Sequence, residues 1–202
     1  MSGRRAAFLD RDGVINVDLP YTHRREDFQF VPGVLEAVRE LRRLGFVPVV
    51  VTNQSGIGRG FYTENDFNTL TDWMKQRFAA AEAAIDAVYF CPHHPSDAIE
   101  AYRIACDCRK PAPGMLIAAA RDLNLDLPNS AMFGDRASDL EAAQTAGVQH
   151  RFLLGTDGKH APATMLMAPG LLSAAFRNLL EAALSNEVQQ LANALPVSAQ
   201  GT

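Results

Sequence analysis

Ala6-Ala7-Phe8-Leu9-Asp10-Arg11-Asp12-Gly13 is the stretch that decides how the rest of the chain is read. Four apolar residues in a row, without alternation, suit a short strand buried on both faces, as in a parallel sheet. The run ends in two carboxylates two residues apart, and a glycine behind them permits a tight turn. Taken alone, Asp-x-Asp-Gly is also a common solvated turn. Its weight comes from what later segments place at the ends of other strands.

Working outward, Val34, Ala37, Val38, Leu41 and Leu44 recur at helical spacing, and Gly45 closes that helix. Phe46 to Val51 reads as a second strand ending at Thr52-Asn53. Thr63 to Ala84 is predicted helical, with Thr63 as N-cap and Asp66 in the capping-box position. Ala87 to Phe90 is a third strand, and Pro113-Gly114 opens a helix running to about Leu123, with Pro128 in its exit loop. Ala131 to Phe133 is a fourth strand leading into Gly134-Asp135. A helix follows from Ser138 to Ala146, stopped by Gly147, and His150 to Leu154 is a fifth strand. Strands alternating with helices predict an α/β fold, a doubly wound, mostly parallel sheet covered on both faces. Such sheets bind ligands beyond the carboxyl ends of their strands. Asp10 to Asp12, Thr52-Asn53 and Gly134-Asp135 would therefore share one rim.

Composition bounds the function. The chain has 202 residues, 48% hydrophobic and 21% charged, which suits one packed domain, expected over residues 1–185. A helical or frayed tail is expected over 186–202, with helical stretches around Leu171 to Ala183 and Val188 to Ala194. These would pack the sheet edge or form an oligomer contact; a monomer is the expectation. A net charge of −4 lacks the basic footprint of a nucleic-acid binder, so no nucleic-acid partner is expected. There is no apolar run of about 18 residues to span a membrane. No signal-peptide core follows Met1, so a cytoplasmic location is expected.

The rim residues suit phosphoryl transfer. One carboxylate of Asp10/Asp12 can attack phosphorus, while the other gives a proton to the leaving oxygen and later takes one from water. Thr52 and Asn53 offer a hydroxyl and an amide to phosphoryl oxygens, and Arg109-Lys110 offer two fixed positive charges. Magnesium prefers hard oxygen ligands and keeps several waters. Asp10, Asp135 and the backbone carbonyl of Asp12 would suffice to hold it.

A second motif is independent of the first. Cys91-Pro92-His93, twelve intervening residues, and Cys106-Asp107-Cys108 form C-x-H and C-x-C pairs that use every cysteine of the chain. Three thiolates and an imidazole make a closed tetrahedral set for structural zinc. His94 is adjacent and could take the place of His93. The polar segment between the pairs would be held folded by the metal, and Arg109-Lys110 follow its last ligand, so zinc would position both cations.

The ordered set Asp10-x-Asp12, Thr52, Lys110, Asp135 resembles the haloacid dehalogenase (HAD) superfamily of phosphatases over residues 8 to about 154. The resemblance implies a HAD-like, Rossmann-type fold with Asp10 as nucleophile and Asp12 as general acid/base. It gives Thr52 and Lys110 as stabilisers of the phosphoryl group. Asp135 would be a magnesium ligand, and Asp139 a carboxylate standing behind it. Within the superfamily, the subgroup with such a zinc loop has no separate cap domain. Val51-Thr52-Asn53-Gln54-Ser55-Gly56-Ile57, Tyr89-Phe90-Cys91-Pro92-His93-His94-Pro95 and Cys106-Asp107-Cys108-Arg109-Lys110-Pro111 are most similar to the heptose-bisphosphate phosphatases. Histidinol-phosphate phosphatases are the runner-up; Ser55 and the long stretch between the two metal pairs favour the heptose family. That family implies a small phosphorylated sugar as substrate, cleaved at its C7 phosphate in a pathway to nucleotide-activated heptose. It also implies substrate contacts at Asp18, Tyr21, Asn53, Gln54 and Ser55, and retained-phosphate recognition by Arg109. Arg136 is either a further phosphate contact or a surface cation. The third reading, a catalytically silent zinc module, is opposed by the presence of both Asp10 and Asp12.

Overall fold

The computed structural model describes residues 3–154 and 166–168. Strands β1 (Ala6–Leu9), β2 (Val47–Asn53), β3 (Ala87–Cys91), β4 (Ala131–Gly134), β5 (His150–Leu154) and β6 (Leu166–Ala168) form one sheet in the order β3-β2-β1-β4-β5-β6. Every pairing is parallel. The five expected strands are all present, and β6 is an addition: three residues give too short a run to signal a strand by periodicity. The expected helical stretches of the C-terminal region, and the proposed tail over 186–202, lie outside the described residues.

The strand order dictates where the site falls. The chain steps outward from β1 to β2 and β3, then returns to the other side of β1 for β4. Beyond the carboxyl end of β1, the connections leave in opposite directions and open a crevice. Alternate strand residues feed two cores. Leu9, Val50 and Phe133 pack with Val38 and Leu41 of α1 (Val34–Arg43) and Met74 and Phe78 of α3 (Glu64–Ala80). Phe8, Val49 and Met132 pack instead with Leu116 of α4 (Gly114–Leu123) and Ala143 of α5 (Ala137–Ala146). Phe8 and Phe133 are fully buried, and truncating either to alanine would cost roughly 3–5 kcal/mol.

Boundaries move for local reasons. The Thr63 capping box forms as expected, its hydroxyl accepting from Asp66 N at 3.1 Å. The helix ends at Ala80 rather than Ala84, because Glu82 turns into the left-handed region and drops Ala83 and Ile85 into the core. A further short helix, α2 (Ser55–Gly58), follows β2 directly. Segment 10–33 folds back on itself, with Val17 N donating to Gln29 O and Val31 N to Ile15 O, and holds residues 18–21 over the strand ends. No separate cap domain is present among the described residues, and none of their helices is long and apolar enough to cross a membrane.

Candidate active site

Register brings distant residues together. Leu9 pairs with Val50 on one side and with Phe133 on the other. Asp10, one residue beyond Leu9, and Thr52 and Asp135, two beyond Val50 and Phe133, therefore emerge together at the rim. Asp10 N donates to Phe133 O at 3.0 Å, which holds the start of the turn against β4. Lys110 arrives from the loop before α4, its backbone clamped by Asn53, whose amide donates to Lys110 O (3.0 Å) and accepts from Lys110 N (3.1 Å). The Lys110 ammonium is buried between Asp139 (2.5 Å) and Asp10 (3.0 Å) and also donates to Val51 O at 2.8 Å.

Asp10, Asp135 and Asp139 each offer a carboxylate oxygen within 4.8 Å of the others. Lys110 supplies one positive charge to this group. Burial raises the Asp10 pKa to about 6, with Lys110 opposing the rise and Asp139 and Asp12 adding to it. Burial, then Asp10 and Asp139, raises Asp135 to about 7. For Lys110, burial opposes the charge, but Asp10 and Asp139 outweigh it and hold the pKa above the usual lysine value. Asp135 Oδ1 is buried without a hydrogen-bond partner among the described residues. Crowded carboxylates with an unsatisfied oxygen are the environment a hard divalent cation neutralises, so the donor set fits magnesium. Asp139 stands in this group while also accepting from Arg136 N at 3.0 Å. The Asp12 carboxylate does not share it.

Asp12 points elsewhere. Its carboxylate receives Arg11 Nη2 at 3.0 Å, Asn16 Nδ2 at 2.9 Å and Gln54 Nε2 at 3.0 Å. Arg11 is itself buried and donates to Thr22 O at 2.9 Å. Gln54 also donates to Thr52 Oγ1 at 2.8 Å and accepts from Tyr62 OH at 2.5 Å. The Asn53 and Gln54 amides are hydrogen-bonded within the chain, and both residues line the cavity.

That cavity has a volume of about 730 Å³ and also takes in Asp18, Tyr21, Ser55, Arg109 and Arg136. Asp18 pairs with Arg136 at 2.7 Å across the mouth. Tyr21 adopts a left-handed backbone and sets its ring edge-on to Phe61, centroids 4.5 Å apart. Arg109 donates to His93 O at 3.1 Å, tying the cation to the cysteine-rich loop.

In that loop the Sγ atoms of Cys91, Cys106 and Cys108 lie 3.1–3.5 Å apart. His93 Nδ1 sits 3.4 Å from Cys108 and 3.7 Å from Cys91. A tetrahedron with zinc–sulfur bonds of about 2.3 Å has edges of roughly 3.8 Å, so the four donors fit that ion with a small expansion. Burial pushes the Cys91 thiol far above its usual pKa, so its thiolate needs a cation beside it. His94 is not among the clustered donors, and its Nδ1 accepts from Asp97 N at 2.9 Å.

A HAD-hydrolase-like family model matches residues 107–182. The D-glycero-beta-D-manno-heptose-1,7-bisphosphate 7-phosphatase of Escherichia coli (strain K12) is 50% identical over 151 residues, 75% of this chain and 79% of that protein. Its counterpart in Vibrio cholerae serotype O1 is 52% identical, covering 75% of this chain and 81% of that one. The chain belongs to the D-glycero-beta-D-manno-heptose-1,7-bisphosphate 7-phosphatase family. It is a phosphatase of the HAD superfamily. Among solved structures, D,D-heptose 1,7-bisphosphate phosphatase from B. bronchiseptica, complexed with magnesium and phosphate, superposes with a TM-score of 0.74. It is 32% identical, with 88% of this chain and 99% of that one covered.

Four residues of this heptose-bisphosphatase family member escaped the sequence reading. Arg11 braces Asp12, Tyr62 holds Gln54, and Arg59 and Ser138 line the cavity. Arg11 sits inside the first motif and carried a signal that could have been weighed: a cation between two acids. Tyr62, Arg59 and Ser138 carried none, because their roles depend on packing between segments far apart in sequence.

Proposed function

We propose that this phosphatase removes the C7 phosphate of D-glycero-D-manno-heptose 1,7-bisphosphate through an aspartyl-phosphate on Asp10. The observation that carries the reading is the pairing of Asp10 with Lys110 at 3.0 Å beside Asp135 and Asp139, in a cavity that also contains Asp12 and Thr52. Identities of about 50% to curated heptose-bisphosphate phosphatases support the substrate.

A carboxylate oxygen of Asp10 attacks phosphorus as the bond from phosphorus to the C7 oxygen breaks, and Asp12 gives that oxygen a proton. Water then yields a proton to Asp12 and attacks phosphorus, breaking the bond to Asp10 and releasing inorganic phosphate. Lys110 and the Thr52 hydroxyl offset charge on the phosphoryl oxygens throughout. Asp10, Asp135 and the Asp12 carbonyl would hold magnesium, with Asp139 behind them. Once bound, the ion supplies further neutralisation of the transferring group. Arg109 offers a planar fork to the retained phosphate, and Arg136, paired with Asp18, frames the sugar together with Tyr21. Cys91, His93, Cys106 and Cys108 would hold structural zinc, which anchors the loop carrying Arg109 and Lys110. Side-by-side turnover of heptose 1,7-bisphosphate and histidinol phosphate tests the substrate; preference for the latter would overturn it.

A further inference from the structure

Gln54 is 2% exposed, and each polar atom of its amide has a defined partner. The orientation of that amide follows from hydrogen-bond chemistry. The Asp12 oxygen that faces Gln54 also receives Arg11 Nη2 at 3.0 Å, so it acts as an acceptor and the Gln54 atom 3.0 Å from it is the amide nitrogen. The second proton of that nitrogen goes to Thr52 Oγ1, 2.8 Å away. The carbonyl oxygen then faces Tyr62, whose hydroxyl donates to it at 2.5 Å. Tyr62 stays protonated over the working range, because burial pushes its phenol up to about 12.

One consequence bears on chemistry. A threonine hydroxyl has one proton to give. Since Thr52 Oγ1 accepts a hydrogen bond from Gln54, its own proton is left for another acceptor, and Thr52 lines the cavity that holds Asp10. We propose that Gln54 is a positioning residue that sets hydrogen-bond polarity in the site: its amide makes Thr52 a donor to the phosphoryl group and fixes the rotamer of Asp12. This rests on the phosphatase reading above, and assigns Gln54 a role other than contact with the sugar.

Gln54→Glu tests it, because it keeps the shape and reverses the polarity. A carboxylate there would repel Asp12 and draw the Thr52 proton away from the cavity. With magnesium present, turnover of heptose bisphosphate and of a generic aryl phosphate is compared across wild type, Gln54→Glu and Gln54→Met. Gln54→Glu is expected to lower kcat by about 10²–10³, the scale for losing one such donor, with KM changed less than about threefold. Gln54→Met, which only removes the bias, should lose about tenfold and rank between the two. In a Thr52→Ala background the Gln54→Glu effect should shrink below about tenfold, a coupling that a packing role would not produce. Activity of Gln54→Glu within about threefold of wild type would overturn the proposal, as would a full undiminished loss in the Thr52→Ala background. Should Gln54→Glu not fold, Gln54→Met within about threefold of wild type overturns it alone. Wild-type protein inert toward both esters would remove the phosphatase reading and this inference together, whereas an active wild type isolates the inference.

Discussion

The Asp135 carboxylate occupies the space where a side chain on Gly13 would stand. Gly13 has φ +85°, and a Cβ built on it would collide with Asp135 Cγ and Oδ2. The glycine of the first motif and the aspartate of the last are therefore one fitted pair, and the turn that presents Asp10 and Asp12 leaves room for a third acid. A second close approach repeats the device, since a Cβ on Gly134 would collide with Asp139.

Gly13→Ala should accordingly damage the site more than the fold. The left-handed backbone costs about 1 kcal/mol with a side chain, and the collision displaces Asp135. Magnesium affinity, read by calorimetry, should fall at least about tenfold, together with kcat. A variant that binds magnesium like wild type would show that Asp135 does not hold the ion.

Asp12→Asn separates acid catalysis from binding. Loss of a positioned acid costs about 10²–10⁴ in rate when the leaving group is a poor one such as a sugar alkoxide. An aryl phosphate, whose leaving group needs no proton, should lose far less. Asp10→Asn should abolish turnover of both. Equal losses on both esters for Asp12→Asn would count against its acid role.

Magnesium binding should strengthen with pH through a defined window. The Asp10 and Asp135 pKa values are raised from 3.8 to about 6 and about 7 in the metal-free fold. A raised carboxylate disfavours the folded state once it ionises. That penalty is absent below the unfolded value, grows as pH rises through the window, and is complete above about 7. A bound cation relieves it, so the rise in Tm on adding magnesium should be small near pH 5, increase through pH 6–7 and then level off. A shift that is largest near pH 5 would contradict the crowding of these acids.

Lys110 is the most exposed to loss, being 3% accessible between two carboxylates. Lys110→Met should destabilise the protein by roughly 3–5 kcal/mol, the cost of leaving buried charge unpaired. Adding Asp139→Asn should recover part of the Tm without recovering activity. Full recovery of turnover would place Lys110 outside the chemistry.

Zinc and the active site should fail together. Cys91 O accepts from Gln54 N at 2.7 Å and His93 O accepts from Arg109, so the loop is bonded to both ends of the rim. Cys106→Ser should lower Tm, zinc content and kcat in parallel. Zinc-free protein with full activity would break the link.

The sequence by itself determined the alternation of strands and helices, both clusters of candidate metal ligands as residue types, and the order of the rim residues. Those properties are local: burial on both faces imposes apolar runs, caps impose Thr63 and Gly147, and metal chemistry imposes cysteines at close spacing. Only the tertiary structure decided the partners. Register put Asp10 beside Asp135, and packing chose Nδ1 of His93 while it spent His94 on a turn. It turned the Asn53 and Gln54 amides inward, and recruited Arg11 and Tyr62 to hold Asp12 and Gln54. A buried polar group must find a partner wherever the fold brings one. That choice is made in space, between residues whose separation along the chain carries no trace of it.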